Sequence, residues 1–209
     1  MHPVKPEYLF SRTKIALLIV DVQNDFCHSG GAIGSKGVDM RVIDNMMDRL
    51  EHLLSAARKK HLDTIFIQNI EDETTDSFAW KMRPDAREDS ANEGICRRGT
   101  WGTERYRLNP LPGEIVMPKH RFSGFLNTPL DDILKNRGVE TVIITGVATN
   151  VCVETTARHA IMLDYHVIIA EDACATFYPD LHEATIKNVR LWFGNVMTTE
   201  EIIERLGFV

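Results

Sequence analysis

Short apolar runs alternate with longer amphipathic stretches along the 209 residues. The run Ile-Ala-Leu-Leu-Ile-Val at 15–20 is unbroken, which predicts a strand buried on both faces. Residues 38–60 instead space Val42, Ile43, Met46, Leu50, Leu53, Leu54 and Ala57 at a helical period. Further strands are predicted over 64–68, 114–117, 141–145, 166–170 and 195–198, and helices over 130–136, 150–163, 181–192 and 199–206. Pro129 suits the first position of the 130–136 helix, with Asn127 or Thr128 as its cap. Thr199 followed by Glu200 and Glu201 places acids in the first turn of the last helix.

Apolar strands separated by helices imply an α/β fold with a parallel sheet covered on both faces. No repeat or linker divides the chain, so residues 1–209 read as one domain. The polar, weakly periodic stretch at 70–110 is the exception. About 40 residues is long for a loop in a compact domain, and such insertions line or lid a site or form a subunit contact. Its Phe78, Trp80 and Trp101, with Tyr106, need surfaces to pack on.

Composition narrows the function classes. The chain is 44% hydrophobic and 26% charged, with a net charge of −6. That charge supplies no basic surplus for a nucleic-acid partner. The 15–20 run is too short for a membrane span or signal peptide, which leads us to expect a cytoplasmic protein. Cys27, Cys96, Cys152 and Cys174 are scattered without a C-x-x-C pair, a pattern of reduced thiols rather than a disulfide framework or zinc site.

Three residues stand where strands end, the place where open parallel sheets bind ligands. Asp21 closes the first strand, Lys119 follows Glu-Ile-Val-Met-Pro, and Cys152 follows Thr-Val-Ile-Ile-Thr-Gly and its turn. Singly each has a bland reading: a loop-capping acid, a solvated ammonium, a small buried cysteine. Together they suggest a site. A cysteine in the first turn of a helix meets unpaired N–H groups and partial positive charge, which favour the nucleophilic thiolate. Lys119 would lower the proton affinity of Asp21 and Cys152, whereas burial would raise it; the sequence leaves that balance open.

The segments Val20-Asp-Val-Gln-Asn-Asp-Phe26, Pro118-Lys-His-Arg-Phe-Ser-Gly-Phe125 and Gly146-Val-Ala-Thr-Asn-Val-Cys-Val-Glu-Thr-Thr156 resemble the isochorismatase-like cysteine hydrolases. The likeness runs from about Lys14 to Leu206. It implies a three-layer α/β/α fold on a six-stranded parallel sheet, and an Asp–Lys–Cys triad at Asp21, Lys119 and Cys152. It further implies a cis peptide between Val147 and Ala148, with the Ala148 and Cys152 N–H groups forming an oxyanion hole.

The resemblance is nearest to the branch that cleaves ureido compounds, ureidoacrylate amidohydrolases and biuret hydrolases. It implies cleavage of a C–N bond in a small ureido or amide substrate, with no cofactor. Phe26 becomes a pocket wall, Asn69 a polar substrate contact, and Trp101 a candidate cover, although core packing is the alternative for both aromatics. Nicotinamidases carry an Asp-x-His metal motif after the second strand; here Gln68-Asn-Ile-Glu-Asp-Glu-Thr74 stands there, so no metal is expected, and His28 reads as a surface or lining residue. Biuret-cleaving relatives are expected to hold a glutamine near Leu181-His-Glu-Ala-Thr185. Glu183 there would accept substrate N–H groups but repel a carboxylate, and His182 is an alternative at that position. Arg121 and several arginines of the 83–107 stretch, such as Arg97 or Arg98, are equal candidates for a substrate carboxylate. A nicotinamidase-like or N-carbamoylsarcosine-type amidase and a non-catalytic member of the fold are the alternatives. Family members tend to be homodimers or homotetramers.

Overall fold

The computed structural model describes residues 5–83 and 94–207. Six strands form one sheet in the order β3-β2-β1-β4-β5-β6: β1 Ile15–Val20, β2 Asp63–Asn69, β3 Ile115–Lys119, β4 Thr141–Val147, β5 His166–Ala175 and β6 Asn195–Met197. Every pairing is parallel. The helices are α1 Pro6–Arg12, α2 Asn24–Cys27, α3 Arg41–Lys59, α4 Phe78–Lys81, α5 Leu130–Asn136, α6 Glu154–Met162, α7 Pro179–Asn188 and α8 Thr199–Arg205.

Strand alternation explains the three layers. Ile15, Leu17 and Ile19 of β1 pack with Met47, Leu50 and Leu53 of α3 and Ile202 of α8. Ala16, Leu18 and Val20 point the other way, into a second core with Leu130 and Leu134 of α5, Ala157 of α6 and Ile186 of α7. The strand order reverses between β1 and β4, so the crevice beyond their carboxyl ends is the expected ligand site. Gly146 allows those two strands to approach: its φ is +106°, and a Cβ there would lie 2.0 Å from the Val20 carbonyl oxygen.

Several boundaries differ from the sequence reading. The helix expected over 150–163 is two structures, a π-helical turn at Thr149–Val153 followed by α6. β5 continues past the polar pair Glu171–Asp172, with a register shift against β4 between Ile144 and Gly146. Helix α7 starts two residues earlier than expected and passes into a second π turn, Val189–Phe193. Helix α8 begins at Thr199 as expected, and its N-cap is Thr198, because Thr198 and Glu201 bond each other's backbone N–H in a capping box. Helix α5 lacks a side-chain cap at Pro129, though Thr128 Oγ1 accepts the Leu130 N–H at 3.4 Å. Among the described residues, no helix is long and apolar enough to cross a membrane.

Candidate active site

Three strand ends build the floor of the site. Just beyond β1, Asp21 adopts φ +54°, a left-handed conformation that Asp tolerates better than most residues. Its N–H donates to the Ile67 carbonyl at 2.9 Å, which carries the chain across the end of β2. Lys119 is the last residue of β3, in register with Asn69 of β2. Cys152 lies in the π turn that follows β4. A π turn packs i→i+5 bonds into one wide loop and often marks a functional position.

These groups converge. Lys119 Nζ sits 2.6 Å from Asp21 Oδ2, and both side chains are 0% exposed. The contact is a close ion pair, and Cys152 also neighbours the carboxylate. The same ammonium donates to Cys152 Sγ at 3.5 Å and to the Arg121 carbonyl at 3.0 Å. A carboxylate, an ammonium and a thiol drawn from three strand ends thus share one buried point.

Burial decides their proton affinities. It raises the Asp21 carboxyl above its ordinary range, outweighing the attraction of Lys119. It likewise pushes the Cys152 thiol up, and the opposing pull of Lys119 does not compensate. Burial alone would lower Lys119, but the charges of Asp21 and Cys152 more than offset it and hold the ammonium protonated. The expectation that a helix terminus would favour the thiolate is therefore corrected. Cys152 lies in the π turn that leads directly into α6, but desolvation outweighs the effect of the helix terminus. The arrangement can hold a thiol beside a strong buried base.

A cavity of about 300 Å³ opens over Cys152. Phe26, Asn69, Val147 and Ala148 line it, and the Val147–Ala148 peptide is cis. The 70–110 stretch adds Glu71, Trp80, Arg83 and Ile95, and the loop after α2 adds Ile33, Lys36 and Val38, while Phe122 and Thr176–Tyr178 close the other sides. Trp80 rests against Phe122, with ring centroids 4.9 Å apart, and Arg83 lies 4.0 Å from the centre of the Trp80 ring.

Two expected contacts lie elsewhere. Trp101 is 47% exposed and does not line the cavity. Its carbonyl accepts a bond from Asn24 Nδ2 at 3.0 Å and its ring meets His28 edge-on at 4.9 Å, so it clasps α2. Glu183 and His182 line a separate cavity with Arg49 and Asp172, because the exposed start of α7 faces that way. His182 also meets Thr149 Oγ1 at 3.0 Å, bracing the π turn from behind.

The candidate arginines divide similarly. Arg97 pairs with Asp76 at 2.7 Å and Arg98 with Asp72 at 2.6 Å, while Arg121 donates to the Thr75 carbonyl at 2.9 Å. Arg83, which opens the 83–107 stretch of candidate arginines, is the arginine among the described residues that lines the cavity. Glu71 is a lining residue that the sequence reading does not name, although a signal exists: it stands two residues after Asn69, and strand alternation sends such residues to one face. Phe78, expected to pack, is 81% exposed. Among the described residues no group of three or more His, Cys, Asp or Glu is placed to hold a metal.

Comparison with known proteins agrees with this architecture. The model of the isochorismatase domain matches residues 15–201. Ureidoacrylate amidohydrolase RutB of Methylorubrum extorquens is 34% identical over 205 residues, covering 92% of this chain and 83% of the relative. The RutB of Klebsiella pneumoniae is 34% identical over 98% of this chain and 92% of its own length. A cysteine hydrolase from Pseudomonas syringae superposes with a TM-score of 0.81 at 29% identity, over 99% of this chain and 95% of that one. Nicotinamidase PncA from Bacillus subtilis superposes with a TM-score of 0.72 at 26% identity, over 88% and 98% of the respective chains. The chain belongs to the isochorismatase family of hydrolases.

Proposed function

We propose that the protein is a metal-independent cysteine amidohydrolase that cleaves a C–N bond of a small ureido or carbamoyl compound. The observation that carries this reading is the contact of Lys119 with both Asp21 and Cys152, at 2.6 and 3.5 Å, beneath a cavity of small-molecule size. The resemblance to enzymes named ureidoacrylate amidohydrolases supports the substrate class.

The chemistry follows from the three groups. The thiol is neutral at rest, so its proton must leave as the carbon–sulfur bond forms. Asp21, made more basic by burial, takes that proton while Cys152 Sγ attacks the carbonyl carbon. The backbone N–H groups of Ala148 and Cys152 hold the oxyanion; one such donor is worth about 10²–10³ in rate. Lys119 keeps its proton and stabilises the carboxylate whenever Asp21 is ionised. Collapse of the tetrahedral adduct breaks the C–N bond, and Asp21 returns the proton to the departing nitrogen. Water, deprotonated by the same carboxylate, then releases the acyl group and restores the thiol. A terminal ureido group would yield ammonia and a carbamate that decays to an amine and carbon dioxide.

The test is an ammonia-release screen over ureidoacrylate, biuret, triuret, N-carbamoylsarcosine and nicotinamide, with Cys152→Ala as control. Release from a ureido compound, lost in the variant, is expected. Undiminished release by Cys152→Ala would overturn the mechanism, and preference for nicotinamide would move the substrate class.

A further inference from the structure

We infer that Glu71 is the specificity-determining residue that selects a ureido group over a plain amide, by accepting the ureido N–H hydrogens inside the cavity. This rests on the substrate class proposed above. A ureide differs from an amide of equal length by one N–H beside the reacting carbonyl. A site that reads the difference needs a fixed acceptor close to the nucleophile.

Glu71 has that placement. Its backbone is held on both sides by the returning part of the insertion: its N–H donates to the Cys96 carbonyl and its carbonyl accepts the Arg98 N–H, each at 2.9 Å. A parallel bridge to Arg97 sets the same register. The side chain lines the cavity with Cys152, yet the residue is only 5% exposed. Oε1 accepts from Asn69 Nδ2 at 3.2 Å and lies 3.7 Å from an Arg83 guanidinium nitrogen, a distance longer than a hydrogen bond. Both of these contacts fall on Oε1, and a carboxylate has room for further donors. A bound ureido group would supply them.

Asn69 completes the recognition. Its backbone N–H and carbonyl are both bonded to the Gln23 side chain, at 2.8 and 3.0 Å, which fixes the strand end bearing the Asn69–Glu71 pair. Its amide nitrogen donates to Glu71, and both residues line the cavity from the end of β2 and the segment just beyond it, whereas Ala148 and Cys152 belong to the turn after β4. A methylene in place of that N–H would set carbon against an acceptor that an N–H can bond, which costs affinity even though Asn69 and Arg83 still partner the carboxylate. The acceptor role anticipated for Glu183 thus falls to a residue in a different part of the chain.

The experiment compares N-carbamoyl-β-alanine with glutaramic acid, which carries CH₂ in place of the ureido N–H and also loses ammonia on hydrolysis. Wild type and Glu71→Gln are assayed on both, and binding of both is measured calorimetrically in Cys152→Ala with and without the Glu71 change. The expected result is a fall of about tenfold to a hundredfold in kcat/KM for the ureide with little change for the amide, and the same selective loss in binding. Equal loss on both compounds would make Glu71 a structural residue and overturn the inference, as would no loss on either. Ureide binding that depends on Glu71 in a protein that turns over neither compound would uphold this inference while removing the proposed reaction. An unchanged thermal midpoint of Glu71→Gln keeps folding out of the comparison.

Discussion

The floor and the wall of the cavity are built by different rules. Asp21 just follows β1, Lys119 ends β3 and Cys152 lies in the turn after β4, and the hydrogen-bond ladders of β3, β2, β1 and β4 set their separations. Part of the wall that faces them comes from Glu71, Trp80 and Arg83 on an irregular stretch, joined to the rest by a bridge between Gln23 and Arg105, by backbone bonds such as Ile70 N–H to the Lys119 carbonyl, and by the Trp80–Phe122 ring contact. A rigid sheet end can hold three reacting groups within bonding distance, whereas a loop can change composition without disturbing them. The difference teaches that the groups proposed to react stand on regular structure, whereas much of the surface around them is loop that can vary independently.

Substitutions in the floor break the chemistry and should have the largest effects. Cys152→Ala is expected to lower kcat by about 10⁴–10⁶, measured by ammonia release, with the fold retained. Lys119→Met is expected to abolish activity and to destabilise the fold by about 3–5 kcal/mol in denaturant unfolding, because it leaves the Asp21 carboxylate buried without its cation. A Lys119→Met variant as stable as wild type would refute the ion pair's structural share.

The pH dependence sharpens the same point. Burial raises the folded-state pKa of Asp21, so the carboxyl remains protonated to a higher pH than an ordinary aspartate. A protonated Asp21 cannot accept the thiol proton, so kcat/KM should fall on acidification with an apparent pKa above about 4. An activity plateau extending below that value would contradict the buried base. Lys119, raised above 10.5, should contribute no limb across the neutral and mildly alkaline range.

The smallest effects are expected outside the cavity. Glu183→Gln and Trp101→Ala should each leave kcat/KM within about threefold of wild type, since surface substitutions away from special features are usually mild and neither residue lines the site. A hundredfold loss in either would mean that the wall extends further than the described contacts.

The floor was legible in the sequence because each of its residues follows an apolar run, and such a run fixes where a buried strand ends. Asp21 after Ile15–Val20 is the clearest case. The direction of the Cys152 shift was not legible: proximity of a cation can be guessed from motif order, but the extent of desolvation depends on packing from both cores. The π turn at Thr149–Val153 also escaped, since i→i+5 bonding leaves no period of its own in the residue pattern. β5 was cut short at Ala170 because Glu171 and Asp172 interrupt its apolar run, yet the strand continues through a bulge. Glu183 was misplaced since a helix position reveals its face only when the neighbouring elements are known. Arg83 stands in a stretch with no periodicity, where side-chain direction is set by single tertiary contacts.

The central claim is that the sulfur of Cys152 forms the bond that replaces the scissile C–N bond. Rapid quenching during turnover of a ureido substrate, followed by intact-mass and peptide analysis, tests it directly. The account predicts a transient acyl adduct on the peptide that carries Cys152, and a slower rise of that adduct in Asp21→Asn. Ammonia release at full rate with no adduct on Cys152 at any time point would contradict it.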